Sequence, residues 1–144
     1  MAITEIIIPL SILSANALWD IFHREILPLP VMAMGAAGVL YRCCYLSSGI
    51  AGILTALIPG AFLLALSLVS EERIGKGDAL LSLCLGEWLG FADCIFVIFL
   101  ASAGAAAAAV LLWIAKKKDA EIPFVPFLLS GYILHLVILY TARV

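Results

Sequence analysis

Charged residues are scarce in this chain, and their scarcity decides its class. Only 12% of the 144 residues are Asp, Glu, Lys or Arg, whereas 65% are hydrophobic and the mean hydropathy is +1.21. A soluble domain carries roughly 25% charged and about 45–50% apolar residues. A chain with so few polar groups cannot cover itself in water. The composition therefore predicts an integral membrane protein that forms a single domain over residues 1–144, with no room for a second, soluble domain.

Several functional signatures are also missing. The amino-terminal segment has no basic region and carries Glu5 instead, so no signal peptide is expected. No P-loop or dinucleotide fingerprint is present, which argues against a nucleotide-using enzyme. The sequence has no C-x-x-C pair either, so a zinc site is not expected, and we predict neither metal nor cofactor. The cysteines are four in number: Cys43, Cys44, Cys84 and Cys94.

Long apolar runs fill most of the chain. A helix needs about 20 apolar residues to cross the hydrocarbon core, and the sequence predicts an all-α bundle of six transmembrane helices. The run over 79–115 is too long for one span, so we place a turn near Gly90 and Asp93. Arg42 lies near the end of the second span, where its side chain can snorkel to the interface. The predicted spans are 2–19, 31–46, 49–69, 79–92, 94–115 and 124–142.

The basic residues predict the orientation of this bundle. Three loops on one side of the membrane hold six of the eight Lys and Arg residues, and the other side holds Arg42 and Arg143. By the positive-inside rule those loops are cytoplasmic and both termini lie outside the cytoplasm. The lysine run is short and followed by acidic residues, which is typical of an orienting loop near anionic lipid and not of a nucleic-acid site. The six residues are Arg24, Arg73, Lys76, Lys116, Lys117 and Lys118.

Two aspartates fall at the predicted cytoplasmic ends of spans. Asp78 follows Gly75 and Gly77 and opens a helix, so it is either a helix N-cap or a catalytic acid. Asp20 closes the first span, so it is either an interface residue paired with Arg24 or a second catalytic group. Their shared face favours a catalytic pair that holds one proton between them. Because Asp20 ends a helix and Asp78 begins one, we expect Asp20 to carry that proton.

Two further ionisable residues lie deep in predicted spans. Glu87 is in the fourth span and His135 is at a similar depth in the sixth. His135 fits a packed core histidine, and a hydrogen bond between Glu87 and His135 is the alternative hypothesis.

Four motifs in order resemble the type IV prepilin peptidases, which are bacterial membrane aspartyl proteases with a Gly-x-Gly-Asp signature. The resemblance covers nearly the whole chain. Asp20 with Arg24 and Ile26 is similar to the first aspartate motif of the family. The later motifs are Gly75-Lys76-Gly77-Asp78, Leu85-Gly86-Glu87-Trp88-Leu89-Gly90 and Ile122-Pro123-Phe124-Val125-Pro126-Phe127-Leu128.

The resemblance implies an endopeptidase that removes the basic leader of prepilins or pseudopilins at the cytoplasmic face of the bacterial inner membrane. It implies that Asp20 and Asp78 are catalytic, that no metal is needed, and that Gly75, Gly77 and Arg24 belong to the substrate-binding motifs. Long members carry an additional cysteine-containing methyltransferase region, and we expect this chain to be a short form without that activity. Leu80, Leu27 and Val125 stand where the family commonly has lysine, proline and glycine.

The alternative is a non-catalytic membrane scaffold or a small transporter subunit with the same fold. In that case the two aspartates are cap and interface residues, and Glu87 and His135 line a polar path. Replacing the aspartates by asparagine separates the two functions, because only a protease requires both carboxylates.

Overall fold

The structure is a computed structural model that describes residues 3–23, 25–46, 49–69, 75–115 and 122–142. Within those ranges all regular secondary structure is α-helix and there is no strand, as the sequence predicts. The elements are α1 (Ile3–His23), α2 (Pro28–Cys44), α3 (Ile50–Val69), α4 (Lys76–Leu89), α5 (Phe91–Ile114) and α6 (Val125–Thr141).

Most helix ends fall within a few residues of the predicted spans, and the differences have local causes. α1 continues to His23, so Asp20 lies inside its last turn instead of behind it. α2 begins at Pro28, because proline at the first helical position needs no hydrogen-bond partner for its nitrogen. Gly90 adopts φ 84°, a conformation that favours glycine, and separates α4 from α5. Asp93 therefore belongs to the first turn of α5 and not to the turn itself.

α4 is the central helix of the bundle. Nine of its 14 residues are buried, and it packs against α1, α2, α3 and α5. Its contact with α3 is backbone to backbone, because a Cβ atom on Gly60 would overlap the main chain of Leu83 and one on Gly86 would overlap the carbonyl oxygen of Ala56. Small residues permit such close approach between membrane helices.

The polarity of the bundle is that of a membrane protein. Large apolar side chains cover the outside, including Ile7, Leu54, Phe99 and Leu111. α1, α3 and α5 are long and apolar enough to cross a bilayer, whereas α2 and α6 are apolar but have 17 residues each. The buried polar side chains are Glu5, Asn16, Asp20, Arg42, Ser67, Ser82, Glu87 and His135.

The complete six-span bundle and its orientation stay predictions. At 14 residues α4 falls short of a full span. The loops whose charges predict the orientation lie mostly outside the described residues: Arg24, Arg73, Lys116, Lys117, Lys118 and Arg143.

The structure contradicts one expectation and one alternative hypothesis about the ionisable residues at the Gly90 end of α4. Arg42 is 8% exposed and turns inward, not towards the interface. Its Nε donates a hydrogen bond to the carbonyl oxygen of Glu87 at 2.6 Å and lies 3.2 Å from Oε2 of the same residue. His135 is a packed core histidine, as the sequence favours, since it is 3% exposed. The alternative, a hydrogen bond between Glu87 and His135, is absent, and Nε2 of His135 lies 3.8 Å from Oδ2 of Asp93. Similar depth in two helices is therefore not enough to bring two side chains into hydrogen-bond contact.

Candidate active site

Asp20 joins α1 to the beginning of α6. Its side chain is in the last turn of α1, and the residue is 7% exposed. Oδ2 accepts a hydrogen bond from the backbone N–H of Val125, the first residue of α6, at 3.2 Å. The free N–H groups and dipole of a helix amino terminus favour a negative charge. The expectation that Asp20 carries the shared proton because it ends a helix therefore loses its basis.

Asp78 lies in the first turn of α4, three residues after the N-cap residue Gly75. It is therefore not the N-cap itself, and a structural role would be that of an acidic residue in the first helical turn. The residue is half-buried, and its backbone carbonyl oxygen accepts a hydrogen bond from the Ser82 hydroxyl at 2.8 Å. Its carboxylate also lies at a helix amino terminus, so both aspartates have the same kind of electrostatic support.

The two aspartates line one pocket. Its volume is about 480 Å³, and it lies between the segment that follows α1 and the start of α4. A second pocket of about 350 Å³ lies on the other side of Asp78, against α3 and α5. The first is lined by Asp20, Glu25, Ile26, Pro28, Gly75, Gly77 and Asp78, and the second by Leu63, Gly75, Asp78, Ala79, Ser102, Ile122 and Phe124. Asp78 and Gly75 thus belong to both.

The two motif glycines leave space that other groups of the protein occupy. A Cβ atom on Gly75 would lie 2.7 Å from Oδ2 of Asp78. One on Gly77 would lie 2.8 Å from Cδ1 of Ile26 and 3.2 Å from its Cβ. The family resemblance places these glycines in the substrate-binding motifs. In the structure, the missing side chains make room for the Asp78 carboxylate and for the segment after α1.

A buried amide that the sequence analysis missed also contributes to this region. Asn16, one turn before Asp20, is fully buried and accepts a hydrogen bond from the backbone N–H of Leu27 at 3.0 Å. The available signal was a strongly polar side chain inside an apolar helix, which is costly unless it is hydrogen-bonded. Arg24, the remaining motif residue, lies outside the described residues.

The described side chains suit acid–base chemistry more than metal binding. Across residues 3–23, 25–46, 49–69, 75–115 and 122–142, no group of three or more His, Cys, Asp or Glu side chains could hold a metal ion. Two carboxylates facing one pocket can instead divide the roles of proton acceptor and proton donor toward a bound water.

Comparison with known proteins identifies a family. A family model described as the type IV leader peptidase family matches residues 7–112. The match includes both aspartates and the two motifs on α4, but it ends before the 122–128 motif. No curated protein and no solved structure matches the chain.

Proposed function

Because the chain belongs to the type IV leader peptidase family, we propose that it is an aspartyl endopeptidase with Asp20 and Asp78 as its catalytic residues. Membership of this family supports the activity of a membrane peptidase in general. The observation that carries the residue assignment is the single pocket of about 480 Å³ that both carboxylates line. Two aspartates separated by 58 positions in sequence have no structural need to meet, whereas a shared catalytic water requires it.

The proposed mechanism gives the two carboxylates different protonation states. Two like charges in one pocket do not both ionise easily, so one proton is shared. The N–H of Val125 favours the charged form of Asp20, and the proton is then on Asp78. Asp20 accepts a proton from the attacking water while Asp78 donates one to the carbonyl oxygen of the scissile peptide bond. No metal or cofactor takes part in this scheme.

The substrate that we propose is the basic leader peptide of a prepilin or pseudopilin. Among the residues that the structure describes, the charged side chains that line the larger pocket are all acidic: Asp20, Glu25 and Asp78. A cationic peptide therefore meets complementary charge there. Gly75, Gly77 and Arg24 are proposed as motif residues that shape this region. We place the protein in the bacterial inner membrane with the pocket facing the cytoplasm, and expect no nucleic-acid partner.

The test is cleavage of a peptide that joins a basic leader and a glycine to an apolar segment, by the purified protein in lipid nanodiscs. Asp20→Asn and Asp78→Asn should each lower kcat by at least about a hundredfold, since each removes an acid–base group. Asp93→Asn is the matched control, because Asp93 lies outside both pockets and its side chain is 45% exposed. Cleavage that survives either of the first two substitutions would remove that residue from the catalytic pair.

The same experiment separates the protease from the non-catalytic alternative. A scaffold or transporter subunit would show no cleavage in any variant and would tolerate both asparagine substitutions in its cellular role. The structure gives that alternative little support, because Glu87 and His135 have different partners and do not form a common polar path.

A further inference from the structure

Asn16 is a fully enclosed polar side chain one turn from Asp20, and the proposed mechanism does not use it. It is fully buried in α1. Its Nδ2 donates to the carbonyl oxygen of Ile12 at 3.0 Å, within the same helix. Its Oδ1 accepts the backbone N–H of Leu27 at 3.0 Å, eleven residues along the chain. The second hydrogen bond orients the amide, because only the oxygen can accept from a backbone N–H.

The Leu27 hydrogen bond fixes the short segment 25–27 that connects α1 to α2. Leu27 is the N-cap residue of α2, so this bond sets where the helix begins. Ile26, its neighbour, packs against Gly77 so closely that a Cβ atom on Gly77 would lie 2.8 Å from Cδ1 of Ile26. The contacts therefore run from Asn16 through the segment to the first turn of α4.

Asn16 lies between the two carboxylates in this chain of contacts. Asp20 follows it by one turn on α1, and Asp78 follows Gly77 directly on α4. We propose that Asn16 is a positioning residue that sets the separation of Asp20 and Asp78 by holding the 25–27 segment against α4. The proposal rests on the proposed protease function only for its effect on catalysis, since the positioning itself is a statement about geometry.

The geometric test uses a pair of cysteines. The Cβ of Ile26 is 3.2 Å from an ideal Cβ at position 77, close to the separation of about 3.5–4.5 Å found in disulfides. Ile26→Cys with Gly77→Cys should therefore cross-link on mild oxidation, detected as a joined peptide by mass spectrometry. Adding Asn16→Leu should slow the cross-link about tenfold, because the segment leaves the position that disulfide geometry requires.

The catalytic test uses Asn16→Leu in the otherwise unchanged chain. Displaced carboxylates should lower kcat by about tenfold to a hundredfold, and KM should rise as well, because Glu25 and Ile26 of the displaced segment line the pocket. Ser14→Ala is the matched control, since Ser14 makes the same type of bond to the carbonyl oxygen of Leu10, at 2.7 Å, without reaching the segment. A second variant replaces Leu27 by its α-hydroxy acid, which removes the N–H donor and leaves every side chain in place.

The proposal is supported if Asn16→Leu and the Leu27 ester both slow cross-linking and lower kcat while Ser14→Ala does neither. It is overturned if the ester cross-links and cleaves like the unmodified chain, even when Asn16→Leu fails to fold. It is also overturned if kcat falls without any change in cross-linking. Absence of cleavage by the unmodified protein would count against the proposed function instead, and the cross-linking result would still decide the role of Asn16.

Discussion

Gly77→Ala should disable the site without removing either carboxylate. The added methyl group would lie 2.8 Å from Cδ1 of Ile26 and 3.2 Å from its Cβ and Cγ1. Carbon atoms in contact are about 3.5–4.0 Å apart, so the segment and the start of α4 must separate by about 0.3–1.2 Å. Rotating the end of the Ile26 side chain relieves only the closest contact. A misplacement of about 1 Å can cost about a hundredfold in rate, and we expect kcat to fall by about tenfold to a hundredfold.

The assay is the initial cleavage rate at saturating peptide, in nanodiscs of one lipid composition, with thermal melting to confirm the folded fraction. Gly49→Ala is the control, because no atom lies within 4 Å of a Cβ at that glycine. Shortening the opposing side chain should rescue the variant, since Ile26→Ala leaves only the 3.2 Å contact with its Cβ. Unchanged kcat for Gly77→Ala, or a double variant no faster than Gly77→Ala alone, would refute this reasoning.

Two further predictions concern stability, measured by thermal or denaturant unfolding in one detergent. Arg42→Met should lower the free energy of unfolding by about 3 kcal/mol, because it leaves the fully buried Glu87 without its cation. Adding Glu87→Leu should recover most of that loss, because no unpaired charge then stays buried. Equal stability of the single and double variants would contradict this prediction. Gly60→Ala should lower the free energy of unfolding by about 1–3 kcal/mol, because its methyl group overlaps the main chain of Leu83. A melting temperature equal to that of the unmodified protein would contradict this, since it would mean that α3 and α4 can move apart without loss of stability.

The pattern of apolar residues predicted the helices well, because the length of an apolar run indicates how many residues are removed from water. All six helices fall close to the predicted spans, and glycine at position 90 marked the break between α4 and α5. The same pattern contains much less information about which way each side chain points around the helix axis. Arg42 was therefore expected at the interface although it points at Glu87. His135 is the packed core histidine that the sequence favoured, but the alternative hypothesis named Glu87 as its partner and the carboxylate near it is that of Asp93.

The sequence predicted the parts of the candidate site that consist of distinctive side chains in a motif. Asp20 and Asp78 stand out because carboxylates in apolar sequence need an explanation. The N–H of Val125 could not be found in this way, because every residue except proline has such a group and only the packing of α6 against α1 brings it to Asp20. Asn16 is an intermediate case, since its polarity was visible but its partner, eleven residues away, depends on the path of the segment after α1.

The short central helix begins at a level that two of its neighbours, α3 and α5, extend beyond. Asp78 shares a pocket with Leu63 of α3 and Ser102 of α5, so these three residues lie at about the same level of the bundle. Beyond that level α3 continues for six residues to Val69 and α5 for twelve residues to Ile114, or about 9 Å and about 18 Å. An extended strand advances about 3.3 Å per residue, so about three to five extended residues cover this distance. If the chain is the proposed peptidase, a peptide that approaches along α3 and α5 needs an extended segment of that length to reach Asp78, and the length of this segment then helps to select the cleavage point.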